Sequence, residues 1–245
     1  MDYHLLNGQC LGDIWPKEIP GLTVVMNEAF LEGPLGYDTS LEDLWPLRAS
    51  FWEVSMEQYH LKTLMPLEML LQAGGTDRIL GWFGTDLFCQ VNWWFLTAYL
   101  HSYRVEAQLG VIFPPSAIAE ETWGHFPKSS LKVPIPLPFF PEATEIALTL
   151  EIWDGYCRGN LDQLDRLAEK YALDYPVLTE AVRWYIRCFP KDGDGYLFEK
   201  VLELIDRGLV QFPELLHIFS TECPQLGLTD RQIAPVFAHC IRQKK

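Results

Sequence analysis

The sequence lacks a long uninterrupted apolar run, although 49% of its 245 residues are hydrophobic. The longest candidate, residues 87–100, is interrupted by Gln90 and Asn92. It falls short of the roughly 20 apolar residues that a membrane-spanning helix needs. The start of the chain has no basic stretch ahead of an apolar segment, as a secretory signal would have. We therefore predict a cytoplasmic protein without a membrane-spanning helix.

The sequence also lacks the cysteine and histidine patterns of metal sites and disulfide frameworks. Its six cysteines are scattered with no C-x-x-C pair, and no two histidines stand four residues apart. This distribution is typical of reduced thiols in a cytosol, so we expect neither a disulfide framework nor a metal site. The sequence assigns no cofactor, because the glycines of residues 7–12 do not have the spacing of a dinucleotide-binding loop.

Positive charge is scarce. The chain has 19 Lys and Arg against 33 Asp and Glu, a formal net charge of −14. Binding to a phosphate backbone depends on clustered basic residues that displace counterions, so nucleic acid is disfavoured as a partner. We expect a small molecule or another protein instead.

Short apolar segments alternate with helical ones in the first half of the chain. The segments predicted as strands are residues 3–6, 22–26, 78–83 and 105–111. Between them we predict a helix that Ser40 caps, a second that the Ser55-Met-Glu-Gln58 capping box opens, and a long helix from Asp86 to about Tyr103. Strands separated by helices favour a mainly parallel, Rossmann-like open sheet, so residues 1–126 are predicted to form an α/β domain.

The second half of the sequence has a different pattern of residues. Residues 127–141 are rich in proline and are predicted to be a linker, and residues 142–245 have helical periodicity throughout. The predicted helices are residues 143–156, 161–171, 177–188, 196–207, 213–220 and 230–242. A capping box, Thr229-Asp-Arg-Gln232, opens the last of them. We predict an all-helical domain, for which a winged-helix-like arrangement is one alternative.

Polar residues follow three of the predicted strands. Asn7 and Gly8 follow the first, Glu28 follows the second, and Asp86 follows the third, with Gln90 one turn further along the same helix. In an open parallel sheet, ligands bind in the crevice beyond the carboxyl ends of the strands. The sequence therefore predicts a ligand site formed by these five residues.

Each of these residues has a functional and a structural interpretation. Glu28 or Asp86 would be the acid or base if there is catalysis, while Gln90 and Asn92 would orient the ligand. Arg48 is placed with the ligand-binding residues. Alternatively, Asp86 caps its helix and Glu28 forms a structural ion pair with Arg48.

Several strings together resemble one family. They are His4-Leu-Leu-Asn-Gly8, Glu28 with Glu32-Gly-Pro-Leu35, Leu44-Trp45 with Arg48, residues 82–92 (WFGTDLFCQVN), Phe189-Pro190 and Gly227-Leu-Thr-Asp230. They are similar to bacterial proteins catalogued as domain of unknown function 1835, over nearly the whole chain. The resemblance implies the two-part architecture more than an activity, because the family has no assigned reaction.

The sequence departs from that family at two positions. Gln9 stands where the family usually has Asp, and Asn27 stands where it usually has Arg. The resemblance implies that a charged ligand or acid–base chemistry depending on those positions is altered or lost here.

Two functions are therefore expected. The first is binding of a small-molecule or nucleotide-like ligand at the strand ends, and whether a reaction follows is left open. The alternative is a protein-interaction or transcription-related regulatory protein that acts through the helical second half.

Overall fold

The computed structural model of the chain describes residues 1–35, 41–115, 123 and 135–244. Ser40, the predicted helix cap, and residues 127–134 of the predicted linker lie outside these ranges. Contacts divide the chain into two compact units. The first consists of Met1–Thr85 and Cys89–Arg158, and the second of Asp86–Phe88 and the residues from Gly159 onward.

The first unit is an α/β structure with an all-parallel four-stranded sheet. Its strands are β1 (Asp2–Asn7), β2 (Leu22–Met26), β3 (Arg78–Trp82) and β4 (Gln108–Val111), in the spatial order β2-β1-β3-β4. The central strand β1 is buried at its four inner positions, as expected of a strand covered on both faces. The predicted parallel sheet is thus confirmed.

Helices accompany the sheet throughout this unit. They are α1 (Gln9–Ile14), α2 (Leu41–Phe51), α3 (Met56–Tyr59), a π-helical turn (His60–Leu64), α4 (Met65–Leu70), α5 (Leu87–Ser102) and α6 (Ala143–Cys157). The capping box of Ser55 and Gln58 opens α3 as predicted. Helix α5 is buried almost all round, which explains why its sequence is apolar on every side.

Side chains of β1 alternate between two helix-covered faces of the sheet. On one face, Leu6 packs with Trp82 and with Leu11 of α1 in a buried cluster. On the other face, Gly81 leaves space for the ring of Phe83, because a Cβ there would lie 2.5 Å from it, and the Trp93 ring of α5 lies 3.4 Å from the same position. Helices α1 and α5 therefore cover opposite faces.

Helix α6 follows the proline-rich segment in sequence but belongs to the first unit. The Tyr156 hydroxyl donates a hydrogen bond to the Phe30 carbonyl at 2.8 Å. The ring of Trp153 lies 5.8 Å from that of Phe30 and 5.7 Å from that of Phe95. These aromatic contacts make α6 part of the core beside α5.

The second unit is helical in its described residues. Its helices are α7 (Leu161–Lys170), α8 (Pro176–Cys188), α9 (Tyr196–Asp206), α10 (Phe212–Glu222) and α11 (Asp230–Gln243), with a 3-10 turn at Pro224–Leu226. The predicted capping box of Thr229 and Gln232 opens α11. None of the helices in the described part of the chain is both long and apolar enough to cross a membrane.

Candidate functional site

Asn92 joins the carboxyl ends of β1 and β2 to helix α5. Its Nδ2 donates to Asn7 Oδ1 at 2.8 Å and to the Glu28 carbonyl at 3.1 Å. Its Oδ1 accepts a hydrogen bond from the Phe30 amide at 3.0 Å. The structure thus brings three predicted site residues together, Asn7, Glu28 and Asn92. All the polar atoms of the buried Asn92 amide are used in holding the strand ends.

Asn7 and Gln90 make similar connections. Asn7 Nδ2 donates to the Cys89 sulfur at 3.1 Å, which uses the second half of its amide. Gln90, 1% exposed, donates from Nε2 to the Gly84 carbonyl at 2.8 Å. This bond fixes the loop after β3 to α5. Of these two side chains, Asn7 is the half-exposed one and Gln90 is turned into the protein.

Glu28 and Arg48 form a completely buried ion pair, since neither side chain has any exposed surface. Glu28 Oε1 accepts from Arg48 Nη2, from Trp52 Nε1 at 2.8 Å and from the Ala29 amide at 2.9 Å. Its Oε2 accepts from the Tyr59 hydroxyl. Burial, followed by the negative charge of Glu28, raises the pKa of Tyr59 above its ordinary value, so this hydroxyl stays a donor.

Arg48 completes the pair on the other side. It donates to the carbonyls of Glu32, of Ala29 at 3.0 Å and of Pro34 at 3.3 Å. Its guanidinium lies 5.0 Å from the centre of the Phe30 ring, where cation–π attraction adds to the bonds. Among the described residues, its Nε has no hydrogen-bond partner.

These contacts support the structural interpretation of the Glu28–Arg48 pair. A carboxylate that accepts four hydrogen bonds and has no exposed surface can contact a ligand only if its partners move. Meanwhile the pair joins the end of β2 to α2, and the Tyr59 hydroxyl adds α3 to the same cluster. A catalytic role for Glu28 stays a prediction.

Asp86 is placed in the second unit by its contacts. It is 5% exposed, and its carboxylate lies directly against Gly227, where an added Cβ would overlap Oδ1. Gly227 has a left-handed backbone with φ of 60° and ends the 3-10 turn. Within the first unit, the structure therefore groups Asn7, Glu28, Arg48 and Asn92, and Asp86 is not among them. Its catalytic role also stays a prediction.

Gly8, like Asn7, is half-exposed, whereas the other predicted site residues are buried. It follows β1 with φ of 103° and ψ of 160°, a backbone conformation that residues with a Cβ rarely adopt. A Cβ built on it would meet no atom within 4 Å. Thr85, at the end of the loop after β3, is also exposed. The ends of these two neighbouring strands thus remain accessible.

The two side chains that depart from the pattern of the resembled family, Gln9 and Asn27, each donate a hydrogen bond within the protein. Gln9 Nε2 donates to Asp13 Oδ1 at 2.7 Å within α1. Asn27 Nδ2 donates to the Lys62 carbonyl at 3.1 Å. Both side chains are exposed, and both bonds lie at the surface.

Two partners of Glu28 were not predicted from the sequence. Trp52 lies at the end of the predicted helix that Ser40 caps, and Tyr59 lies one position beyond the Ser55–Gln58 box, so both appeared as ordinary aromatic residues. The signal in the sequence that could have found them is chemical. A buried carboxylate needs hydrogen-bond donors, and the Trp52 indole and the Tyr59 hydroxyl are donors on side chains that are otherwise apolar.

Among the described residues, no three His, Cys, Asp or Glu side chains are grouped as the ligands of a metal ion would be. Comparison of the chain with protein-family models, with curated proteins and with solved structures gives no match.

Proposed function

We propose that the first unit binds a small polar molecule, such as a nucleotide-like metabolite, at the carboxyl ends of β1 and β3. The observation that carries this proposal is the strand order. β2 lies on one side of β1 and β3 on the other, so the loops after β1 and β3 leave the sheet in opposite directions. In parallel sheets, a crevice opens at this reversal and ligands bind there.

The residues at the reversal support the same position. Gly8 has open space where a side chain would be, and Thr85 is exposed on the neighbouring loop. Behind them, Asn92, Asn7 and Gln90 hold both loops to α5 through hydrogen bonds. A site on rigidly held loops loses little conformational entropy when it binds its ligand. The proposal is therefore binding beside Gly8, with Glu28 and Arg48 as the support beneath it.

The expected fold type, family and cellular location are also proposals. The order β2-β1-β3-β4 suits a Rossmann-like unit. Membership of the family catalogued as domain of unknown function 1835 is proposed on the strings quoted above, and a cytoplasmic location on the cysteine distribution.

The alternative function through the second unit finds less support. In its described residues, the large hydrophobic side chains that are exposed are Leu173 and Val210. They are far apart in sequence and lie on different elements, one after α7 and one before α10. A protein-interaction, transcription-related or winged-helix role for this unit stays a prediction.

The binding proposal is tested by thermal shift against a library of nucleotides, nucleosides and polar metabolites. We expect at least one compound to raise the melting temperature of the wild type by 2 °C or more, an increase of about the size that a ligand well above its Kd produces. Thr85→Trp should fill the crevice and abolish the increase. Gly8→Ala should reduce it, because the substitution disturbs the loop.

Gly208→Ala is the matched control for Gly8→Ala. Gly208 has a similar φ of 97°, and a Cβ there would also meet no atom within 4 Å. Both substitutions should lower the stability of the free protein by about 1 kcal/mol, but only Gly8→Ala should change the ligand response. A wild type that responds to no compound, or a response that Thr85→Trp leaves intact, would overturn the proposal.

A further inference from the structure

Ile135, Leu137 and Phe139 form a row of exposed apolar side chains within the proline-rich segment. They are 40%, 91% and 47% exposed, whereas Pro136 and Pro138 between them are half-buried. Alternation of this kind places the three apolar side chains on one face of an extended segment. Three neighbouring large apolar side chains on a surface differ from the single exposed leucines that any protein has.

The prolines hold this segment in an extended conformation. A proline ring fixes its own φ near −65°, and the residue before a proline is restricted to extended conformations. Ile135 and Leu137 each precede a proline, so a helical conformation is disfavoured at both. The segment therefore has little conformational freedom to lose when it binds a partner.

The segment is anchored at one end to the sheet. The Val111 amide donates to the Phe139 carbonyl, and the Phe139 amide donates to the Val111 carbonyl, both at 2.8 Å. Phe140 packs against the buried cluster on the α1 face. Because Phe140 is directed inward, the row from Ile135 to Phe139 is held facing solvent.

The free edge of the segment cannot accept another strand. Backbone groups of consecutive residues in an extended chain point to opposite sides, and those of Phe139 point to β4. The outward positions before it are Pro136 and Pro138, which have no N–H to donate. Pairing with a further strand is thereby excluded, and a partner must supply the donors for the proline carbonyls.

The chemistry of the segment selects among the surfaces that could cover it. Residues 133–141 contain no charged side chain. An anionic lipid surface is disfavoured, because the chain has a net charge of −14. A second copy is disfavoured too, since it carries the same net charge of −14 and the two copies would repel each other. Grooves lined by Trp and Tyr supply both apolar pockets and N–H or O–H donors, and such grooves recognise extended proline-containing segments.

We propose that Ile135, Leu137 and Phe139, held extended by Pro136 and Pro138, dock into an aromatic-lined groove of another protein. This interaction surface is independent of the ligand site beside Gly8.

The first experiment uses a photoreactive probe in whole cells. A benzophenone amino acid is installed at residue 137 of the full chain and, as the control, at residue 173, where Leu173 is 96% exposed but stands alone. We expect one protein to be crosslinked from residue 137 and not from residue 173. Absence of an adduct specific to residue 137, or an adduct with a second copy of this chain, would overturn the proposal.

The second experiment measures binding of the crosslinked protein after its purification, by titration calorimetry. Leu137→Asp should weaken binding at least tenfold, and so should the double variant Pro136→Ala/Pro138→Ala, which releases the extended conformation. Leu173→Asp should leave it unchanged. Equal affinity for wild type and Leu137→Asp would contradict docking through this row, and equal affinity for the double proline variant would contradict recognition of the extended form.

Two further measurements complete the test. Leu137→Asp should melt within about 2 °C of the wild type, as expected of a substitution at an exposed position, so that lost binding cannot be ascribed to unfolding. In flotation with vesicles of phosphatidylcholine and phosphatidylglycerol, wild type and Leu137→Asp should both stay unbound. Flotation of the wild type alone would assign the row to a membrane surface and overturn the proposal.

Discussion

Glu28 shows how a single buried charge can define the connections of a fold. Its carboxylate accepts hydrogen bonds from Arg48, Trp52 and Tyr59, and these lie on or beside two helices that follow it in the sequence. Removing one member of such a pair leaves the other charge buried without compensation, and this costs far more than the pair itself contributes.

We expect Glu28→Gln to lower the free energy of unfolding by about 3 to 5 kcal/mol, because the buried Arg48 guanidinium then lacks its counter-charge. Urea denaturation measures the change. Glu57→Gln, at an exposed position of α3, is the control and should change stability by no more than about 0.5 kcal/mol.

The double variant Glu28→Gln/Arg48→Met should recover part of the lost stability, since neither buried charge remains. Should Glu28→Gln and Glu57→Gln prove equally mild, the buried pair would not have the structural role described above.

His4 is held neutral by the geometry of its two hydrogen bonds. Trp82 Nε1 can only donate, and it lies 3.1 Å from His4 Nδ1. His4 Nε2 lies 3.1 Å from the Pro20 carbonyl, so that nitrogen carries the proton. Burial lowers the pKa of His4, the Pro20 carbonyl and Asp2 oppose this shift, and Arg78 adds to it.

This lowered pKa predicts a loss of stability in acid. As the pH falls below about 6.5, the unfolded chain binds a proton at His4 before the folded chain does. The contribution of His4 to the free energy of unfolding should therefore decrease by up to about 1.4 kcal/mol per pH unit, until the pH reaches the folded pKa. Glu145, whose pKa burial raises to about 7, contributes in the opposite direction. Urea denaturation between pH 7.5 and pH 5 measures the slope.

Two variants separate the contribution of His4 from that of other groups. His4→Gln removes the titrating group and should flatten the slope. Trp82→Phe removes the indole donor, so that His4 can be protonated more easily in the folded state, and should also flatten it. A wild-type slope that persists in His4→Gln would assign the pH dependence elsewhere.

At the scale of elements, the sequence predicted most strands and helices closely, because their apolar periodicity is strong. The ends of α6 to α11 lie within about two residues of the predicted ends. Helix α1 was missed, since Gly8 and Gly12 made residues 7–12 look like a loop. A tertiary contact favours glycine at position 12, because a Cβ there would lie 3.0 Å from the Val25 side chain on β2. Such contacts are not visible in a local pattern.

The candidate site was predicted only in part, for a related reason. Parallel strands bring their carboxyl ends together, which places Asn7 and Glu28 near Asn92 whatever their function. Which groups donate hydrogen bonds to the Glu28 carboxylate depends on how α2 and α3 pack, and the periodicity of the sequence does not specify that packing. The grouping of Asp86 with Gly227 joins residues that lie more than a hundred positions apart.

That contact gives a prediction for the turn between α10 and α11. Gly227→Ala should destabilise the protein by at least about 2 kcal/mol, because an alanine Cβ would overlap the Asp86 carboxylate and lie 3.1 Å from Phe88 Cβ. Gly159→Ala is the control, with a similar φ of 59° and no atom within 4 Å of the added Cβ. It should cost about 1 kcal/mol, which is the backbone effect alone.

Asp86→Ala should relieve part of the cost when combined with Gly227→Ala, and a double-mutant cycle from chemical denaturation measures this coupling. Strict additivity of the two substitutions would show that the carboxylate and the turn do not interact.

At the scale of the whole molecule, the boundary between units is the feature that truncation can test. We expect residues 1–158 to fold as a unit with cooperative urea unfolding, because α6 completes the aromatic core around Phe30 and Phe95. Residues 1–141, which end at the predicted linker, should expose that core. Near-ultraviolet circular dichroism and binding of a hydrophobic dye distinguish the two outcomes.

The control is residues 1–158 with Trp153→Ala, which keeps the helix but removes one of its rings. It should fold with reduced stability, between the two fragments. Cooperative unfolding of residues 1–141 with the same midpoint as residues 1–158 would contradict a role for α6 in this core.

The central position of β1 also affects how the chain folds during its synthesis. β1 pairs with β3 in the register Asp2 with Arg78, so one edge of this strand stays open until about 76 further residues have been made. At roughly 5 to 20 residues per second, this is a delay of about 4 to 15 seconds on the ribosome. During that interval an apolar strand is exposed to other nascent chains, so early chaperone contact should matter more for this protein than for one whose first strands pair locally.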